Sequence, residues 1–175
     1  MKKVLLVIDY QKDFVDGALG FEGAELLEQR IIDKIEQYAK EGHKVIFTLD
    51  THEENYMDTA EGKALPVPHC INGTEGWGLY GKLPKHVPTG SPMICKETFG
   101  SLSLANYLAQ EKFDSVELVG LVSNICVLSN AVLAKAALPE SKIIVDASCT
   151  SGADKDMHEK SLDIMQGIFI DVINR

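Results

Sequence analysis

Short, unbroken apolar runs alternate along this chain with stretches of helical spacing. Val4–Ile8 is the first run. A helix is predicted over Ala24–Gly42, where Leu26, Leu27, Ile31, Ile35 and Tyr38 recur at helical intervals and Gly42 supplies a stop. Lys44–Leu49 reads as the second strand, Pro92–Cys95 as a short third and Ser115–Gly120 as the fourth. Lys142–Val145 reads as the fifth and Ile168–Ile173 as the last. Helices are predicted over Ser101–Lys112, over the apolar stretch Asn124–Ala137 and over the polar stretch Asp154–Met165. Residues 50–90 fit neither period. They are rich in Gly and Pro and too long for an ordinary connection, which predicts a functional excursion.

Fully apolar strands separated by helices imply a parallel sheet covered on both faces. The expected fold is α/β: three layers, α-β-α, around a central, mostly parallel six-stranded sheet of Rossmann-like type. The whole chain, 1–175, is expected to be a single domain carrying the 50–90 excursion. Right-handed crossovers bring the C-terminal ends of such strands to one edge, where ligands bind. Polar residues at strand ends therefore become the candidates: Asp9, Asp50 with His52, Lys96, and the turn Ser123–Cys126.

Composition changes this picture only by exclusion. The 175 residues are 45% hydrophobic and 25% charged, enough for a full core without staples. The net charge of −9, with no cluster of Lys and Arg, argues against nucleic acid or an anionic membrane as partner. No apolar run approaches the ~20 residues of a membrane span. The start of the chain is only briefly like a signal peptide: Asp9 closes its apolar run after five residues, so it reads as a buried strand. A cytoplasmic protein is expected, with the four cysteines (70, 95, 126 and 149) as thiols. Whether it assembles as a homo-oligomer is not written in a single sequence.

Cys126 falls where the fourth strand turns into a helix. Free N–H groups and a positive helix end there would lower a thiol's pKa and could hold an oxyanion. Asp9 could take the thiol proton and Lys96 could hold the Asp. Singly, such residues are more often a core thiol, a turn residue and a solvated amine. Their common placement at one sheet edge carries the weight. In the excursion, Asp50 and His52 lie two apart on extended chain and can point the same way. With His69 they form a carboxylate-and-two-imidazole set suited to Zn, Fe or Mn, and Glu61 could add an oxygen. Read from residue types alone, the set is more often an incidental polar loop.

Three motifs bear on both questions. Val7-Ile8-Asp9-Tyr10-Gln11-Lys12-Asp13-Phe14, Lys96-Glu97-Thr98-Phe99-Gly100-Ser101 and Gly120-Leu121-Val122-Ser123-Asn124-Ile125-Cys126-Val127 resemble, in order and spacing, segments of the isochorismatase-like cysteine hydrolases. Ser123 in place of Thr and Leu121 in place of Val are mild departures. The resemblance implies a triad of Asp9, Lys96 and Cys126. It also implies a cis peptide before Val122, and an oxyanion hole made by the N–H groups of Val122 and Cys126. Asp50-Thr51-His52 followed by Pro68-His69-Cys70-Ile71-Asn72-Gly73-Thr74 resembles the metal loop of the nicotinamidase branch. It implies one divalent ion, zinc first, held by Asp50, His52, His69 and Glu61, with Cys70 a bystander. The implied substrate is a small pyridine carboxamide, nicotinamide, hydrolysed to nicotinate as in NAD salvage. Its ring nitrogen would face the metal and its carboxamide the sulfur. Phe14 matches the stacking position. The family's second aromatic wall falls at Pro66, after Leu65, so Trp77, Tyr80 and Phe99 become candidates to replace it. Two other readings remain: the same fold acting on isochorismate or another small amide, and a non-catalytic module sensing redox through Cys126. His43, His86 and His158 fall on predicted exposed stretches and receive no role, and Cys149 reads as a turn thiol after the fifth strand.

Overall fold

The computed structural model describes residues 1–175. Six strands form one sheet: β1 (Lys3–Ile8), β2 (Lys44–Asp50), β3 (Met93–Lys96), β4 (Ser115–Leu121), β5 (Lys142–Ser151) and β6 (Asp171–Ile173). The spatial order is β3-β2-β1-β4-β5-β6 and every pairing is parallel. The helices are α1 (Lys12–Val15), α2 (Glu28–Lys40), α3 (Ala60–Ala64), α4 (Leu102–Glu111), α5 (Leu128–Ala137) and α6 (Lys155–Gly167). This is the predicted architecture, and no helix is long and apolar enough to cross a membrane.

The central strand β1 is apolar from Val4 to Ile8 because both of its faces are covered. Val4, Leu6 and Ile8 of β1 pack with Leu104, Leu108, Ala131, Ala134, Leu162 and Met165 of α4, α5 and α6. Leu5 and Val7 point the other way, against Phe14 of α1 and Ile31, Ile32 and Ile35 of α2. At roughly 1.5–3 kcal/mol for each large apolar side chain taken from water, these two layers hold the sheet.

The strand order reverses between β1 and β4, so the crevice of the fold opens above these two strands. Ile8 is in register with Gly120 and with Thr48, and Asp50 with Lys96, so all four ends lie at one level. Gly120 is required there: its φ is +111° and a Cβ would stand 2.0 Å from the carbonyl oxygen of Ile8. Gly120→Ala is expected to cost roughly 3 kcal/mol or more, read as a fall in the urea midpoint. An unchanged midpoint would contradict this close approach.

The boundaries differ from expectation most at β5. It continues beyond Val145 to Ser151, with a register irregularity opposite Leu118–Gly120. The polar residues Asp146, Ser148 and Thr150 hid this extension. Asp146 is fully buried, but Lys34 of α2 lies 2.8 Å from its Oδ2 and 2.5 Å from Glu117 Oε1. Tyr38 donates to Glu117, while Ser148 and Asn174 donate to Asp146. Cys149 therefore lies inside a strand, buried in the α2-side core, and not in a turn. Asp50 and Lys96 are likewise last residues of strands, not first residues after them.

Candidate active site

Each side chain at the crevice is delivered by a strand end. Asp9 follows β1 with φ +44°, and its amide and carboxylate both meet Thr48: the hydroxyl donates to Asp9 Oδ1 at 2.6 Å. Lys96 ends β3, and its ammonium lies 2.6 Å from Asp9 Oδ2, 2.9 Å from Asp50 Oδ1, 3.0 Å from the carbonyl of Thr98 and 3.5 Å from Cys126 Sγ. Cys126 lies in the turn after β4, where a cis peptide joins Leu121 and Val122 and residues Ser123–Val127 form a π-type turn before α5. Asp9, Lys96 and Cys126, predicted to act together, are thus brought into contact, with each residue at most 4% exposed.

The electrostatics depart from one expectation. The Cys126 thiol is not lowered by its turn. Burial raises it well above the usual thiol range, and the carboxylate of Asp9 raises it further. A helix start lowers a thiol that water can reach; this turn is dry, and desolvation outweighs that effect. Asp9 is also raised, by burial first, with Lys96 opposing and Asp50 assisting. Burial works against the charge on Lys96, but Asp9, Cys126 and Asp50 hold it firmly protonated. Burial would raise Asp50 too, yet hydrogen bonds from His52 and His69 and the ammonium of Lys96 keep it well below the carboxylate range.

A second cluster adjoins the first through Asp50. The chain after β2 stays extended, and His52 donates its amide to Cys70 while its carbonyl accepts from Asn72. This pairing of residue 52 with residues 70–72 brings the two imidazoles together. His52 Nε2 lies 3.0 Å and His69 Nε2 3.4 Å from Asp50 Oδ2. Glu61 sits in the first turn of α3, capped by Thr59, with Oε1 3.6 and 3.7 Å from the same two nitrogens. Nδ1 of His69 is engaged by the carbonyl of Val67 at 2.8 Å, which aims Nε2 inward. Four donors around one ion at about 2.0–2.2 Å stand roughly 3.3–3.6 Å apart. The ligand atoms of Asp50, His52 and His69 all lie within 4.8 Å of one another, a carboxylate-and-two-imidazole set that suits a divalent cation, and Glu61 adjoins both imidazoles. A cavity of about 690 Å³ reaches His52 and Glu61 from outside, past Glu53, Asn72, Cys95 and Thr98, and Cys126 does not line it.

The aromatic candidates separate. Phe14 is buried, its ring centroid 5.6 Å from that of His69. Phe99 is 44% exposed. Trp77 donates its indole N–H to Thr51, and Tyr80 packs edge-on to Tyr10, both in the α2-side core. Cys70 is buried at φ +47° and its amide donates to Asp13 Oδ2 at 2.7 Å.

Several residues that organise the site carried no signal of their own. The buried amide of Gln11 clamps Asp50 from both sides, accepting from its N–H at 2.7 Å and donating to its carbonyl at 2.9 Å. Tyr56 presents its ring to both His52 and His69, with centroids 4.7 and 5.1 Å away. Asn130, one helical turn after Cys126, donates to the Cys126 and Phe99 carbonyls and accepts from Ser101. His158 is not on an exposed face: its side chain is 16% exposed and its Nδ1 lies 2.8 Å from Ser123 Oγ. The i,i+4 spacing of Cys126 and Asn130 was the one readable hint among these.

The fold, with these two clusters at its switch point, is that of an amidohydrolase. The Isochorismatase domain family matches residues 3–175, and the chain belongs to that family. An uncharacterized isochorismatase family protein, PncA, of Bacillus subtilis is 34% identical over 143 residues, 75% of this chain and 78% of its own. The nicotinamidase/pyrazinamidase of Mycobacterium tuberculosis is 26% identical over 186 residues, 98% of each chain. The crystal structure of the nicotinamidase/pyrazinamidase PncA from Bacillus subtilis superposes with a TM-score of 0.88 at 30% identity, over 98% of this chain and 99% of that one.

Proposed function

We propose that this protein is a metal-dependent nicotinamidase, hydrolysing nicotinamide to nicotinate and ammonia through a thioester on Cys126. The observation that carries the reading is Lys96, whose ammonium touches Asp9 and Cys126 on one side and Asp50 of the donor cluster on the other. The names of the relatives support the substrate, and a nicotinate product places the reaction in NAD salvage.

The resting thiol keeps its proton, because burial and Asp9 both oppose a thiolate. Asp9, itself raised, is a stronger base than a solvated carboxylate and takes that proton as the sulfur attacks the carboxamide carbon. Lys96 balances the carboxylate before transfer and the developing charge during it. The N–H groups of Val122 and Cys126 receive the oxyanion. Asp9 returns the proton to departing ammonia, then takes one from the water that cleaves the thioester, and the sulfur recovers it. Asp50, His52, Glu61 and His69 would hold a divalent ion, zinc first and iron or manganese by donor type, which when bound supplies a Lewis-acidic anchor for the pyridine nitrogen. Phe14 supplies one wall for the ring.

A redox-sensing role for Cys126 gains no support, since a sensor thiol needs neither a buried base nor an ammonium fixed between two carboxylates. The exposure of Phe99 and the non-aromatic Leu65-Pro66 favour, as the second reading, another small amide in the same site. Ammonia release from nicotinamide, measured before and after chelation and metal restoration, separates the two. Release that falls at least about tenfold on chelation and returns with metal is expected. No release by the fully metallated protein would overturn nicotinamide as substrate.

A further inference from the structure

The nucleophile turn is tied down at both ends. At its C-terminal end, Asn130 donates to the Cys126 carbonyl at 2.8 Å. At its N-terminal end, directly after the cis peptide and Val122, Ser123 is fully buried and its hydroxyl makes a single hydrogen bond, to His158 Nδ1 at 2.8 Å. His158 comes from α6, whose first turn is fixed by Asp154 capping the amides of Asp156 and Met157. The connection from β5 closes onto the same turn at Gly152, where a Cβ would stand 3.3 Å from Ser123 Oγ and 3.0 Å from Asn124 Oδ1. On its outer side, His158 Nε2 lies 3.8 Å from Glu159 Oε1, and Arg175 holds that carboxylate at 2.7 Å. A separate helix thus reaches the turn that carries Val122 and Cys126 through one buried polar contact.

We propose that His158 is a positioning residue for the reaction, acting through Ser123 to hold the Val122–Cys126 turn where the sulfur and the two amides converge on one carbonyl. The inference rests on Cys126 being the nucleophile. Its physical basis is the steepness of acyl transfer in geometry, where a displacement of about 1 Å can cost ~100-fold in rate. A buried hydroxyl left without its partner would also turn to seek another, taking the turn with it.

The test compares His158→Ala, His158→Asn, Ser123→Ala and the double alanine variant in the full-length metallated protein. His158→Ala is expected to lower kcat by about tenfold or more, with KM and metal content unchanged and a modest fall in Tm from the unpaired Ser123 hydroxyl. His158→Asn, whose amide stands where Nδ1 stands, is expected to recover most of the rate. Ser123→Ala should match His158→Ala, and the double variant should be no slower than the slower single one, because both remove one interaction. A wild-type kcat for His158→Ala, a loss seen only in KM or Tm, or multiplying losses in the double variant would each overturn the inference. The rate of Cys126 alkylation by iodoacetamide, located by mass spectrometry, is a substrate-independent readout and should fall in parallel. Cys126→Ala in the same assay separates the two ideas: turnover by that variant defeats the nucleophile assignment, whereas an inactive Cys126→Ala beside a fully active His158→Ala defeats only the positioning role. If the wild type releases no ammonia, the substrate reading falls and the alkylation rate alone decides the inference.

Discussion

Cys126→Ala is expected to release no measurable ammonia from nicotinamide, a loss of at least about 10⁴-fold in kcat, while keeping a full complement of metal. On the proposed mechanism no other group can take its place. Cys70 is buried, with its thiol pushed far up by burial and by Asp50, and Cys149 lies in the opposite core layer. Asp9 could still orient a water, but it would lack the covalent intermediate that divides the reaction into two easier steps. The substitution removes one sulfur atom from the α4–α5–α6 side of the core and leaves Asp50, His52, Glu61 and His69 untouched. Metal analysis and ammonia release on the same sample check both halves. Turnover above about one thousandth of wild type would remove Cys126 from the role of nucleophile.

Lys96→Met should fail in two ways. Methionine nearly matches lysine in length and keeps the packing, so the loss isolates the charge. The ammonium is 2% exposed and is the one cation between Asp9 and Asp50. Removing one partner of such a buried set strands the others and costs about 3–5 kcal/mol. The Tm should fall accordingly, and kcat by about 10³-fold, because a stranded Asp9 takes up a proton and can no longer act as base. Lys96→Arg should not rescue either property, since the guanidinium fork is larger than the space between Thr98, Asp9 and Cys126. Denaturation and steady-state rates check the pair. A variant with wild-type Tm and turnover would show that Lys96 holds neither carboxylate.

Much of the crevice was readable because parallel sheets obey a strong rule. Apolar runs of this kind are buried strands, so Asp9, Asp50, Lys96 and the turn before Cys126 share an edge, whatever their separation in sequence. The metal-type set was partly readable as well: alternation put Asp50 and His52 on one side, but nothing local said that residues 70–72 would pair beside His52 and bring His69 in. Local pattern failed where polarity meant partnership rather than exposure. Asp146, Ser148 and Thr150 read as the end of a strand, yet they continue β5 because Lys34 and Asn174 arrive from elsewhere to satisfy the buried carboxylate of Asp146. His158 read as a surface residue of a polar helix for the same reason.

The chain's periodicities were sufficient for the layer architecture, the parallel sheet and the edge at which chemistry gathers, because burial on both faces of a strand leaves its mark residue by residue. Only the tertiary structure decided the contacts made by Gln11, Asn130, Tyr56 and His158, and the upward shift of the Cys126 thiol. Those depend on which polar group meets which across the fold, and on how completely water is shut out. Desolvation and hydrogen bonding act over a few ångströms in space, between residues that the sequence holds dozens of positions apart.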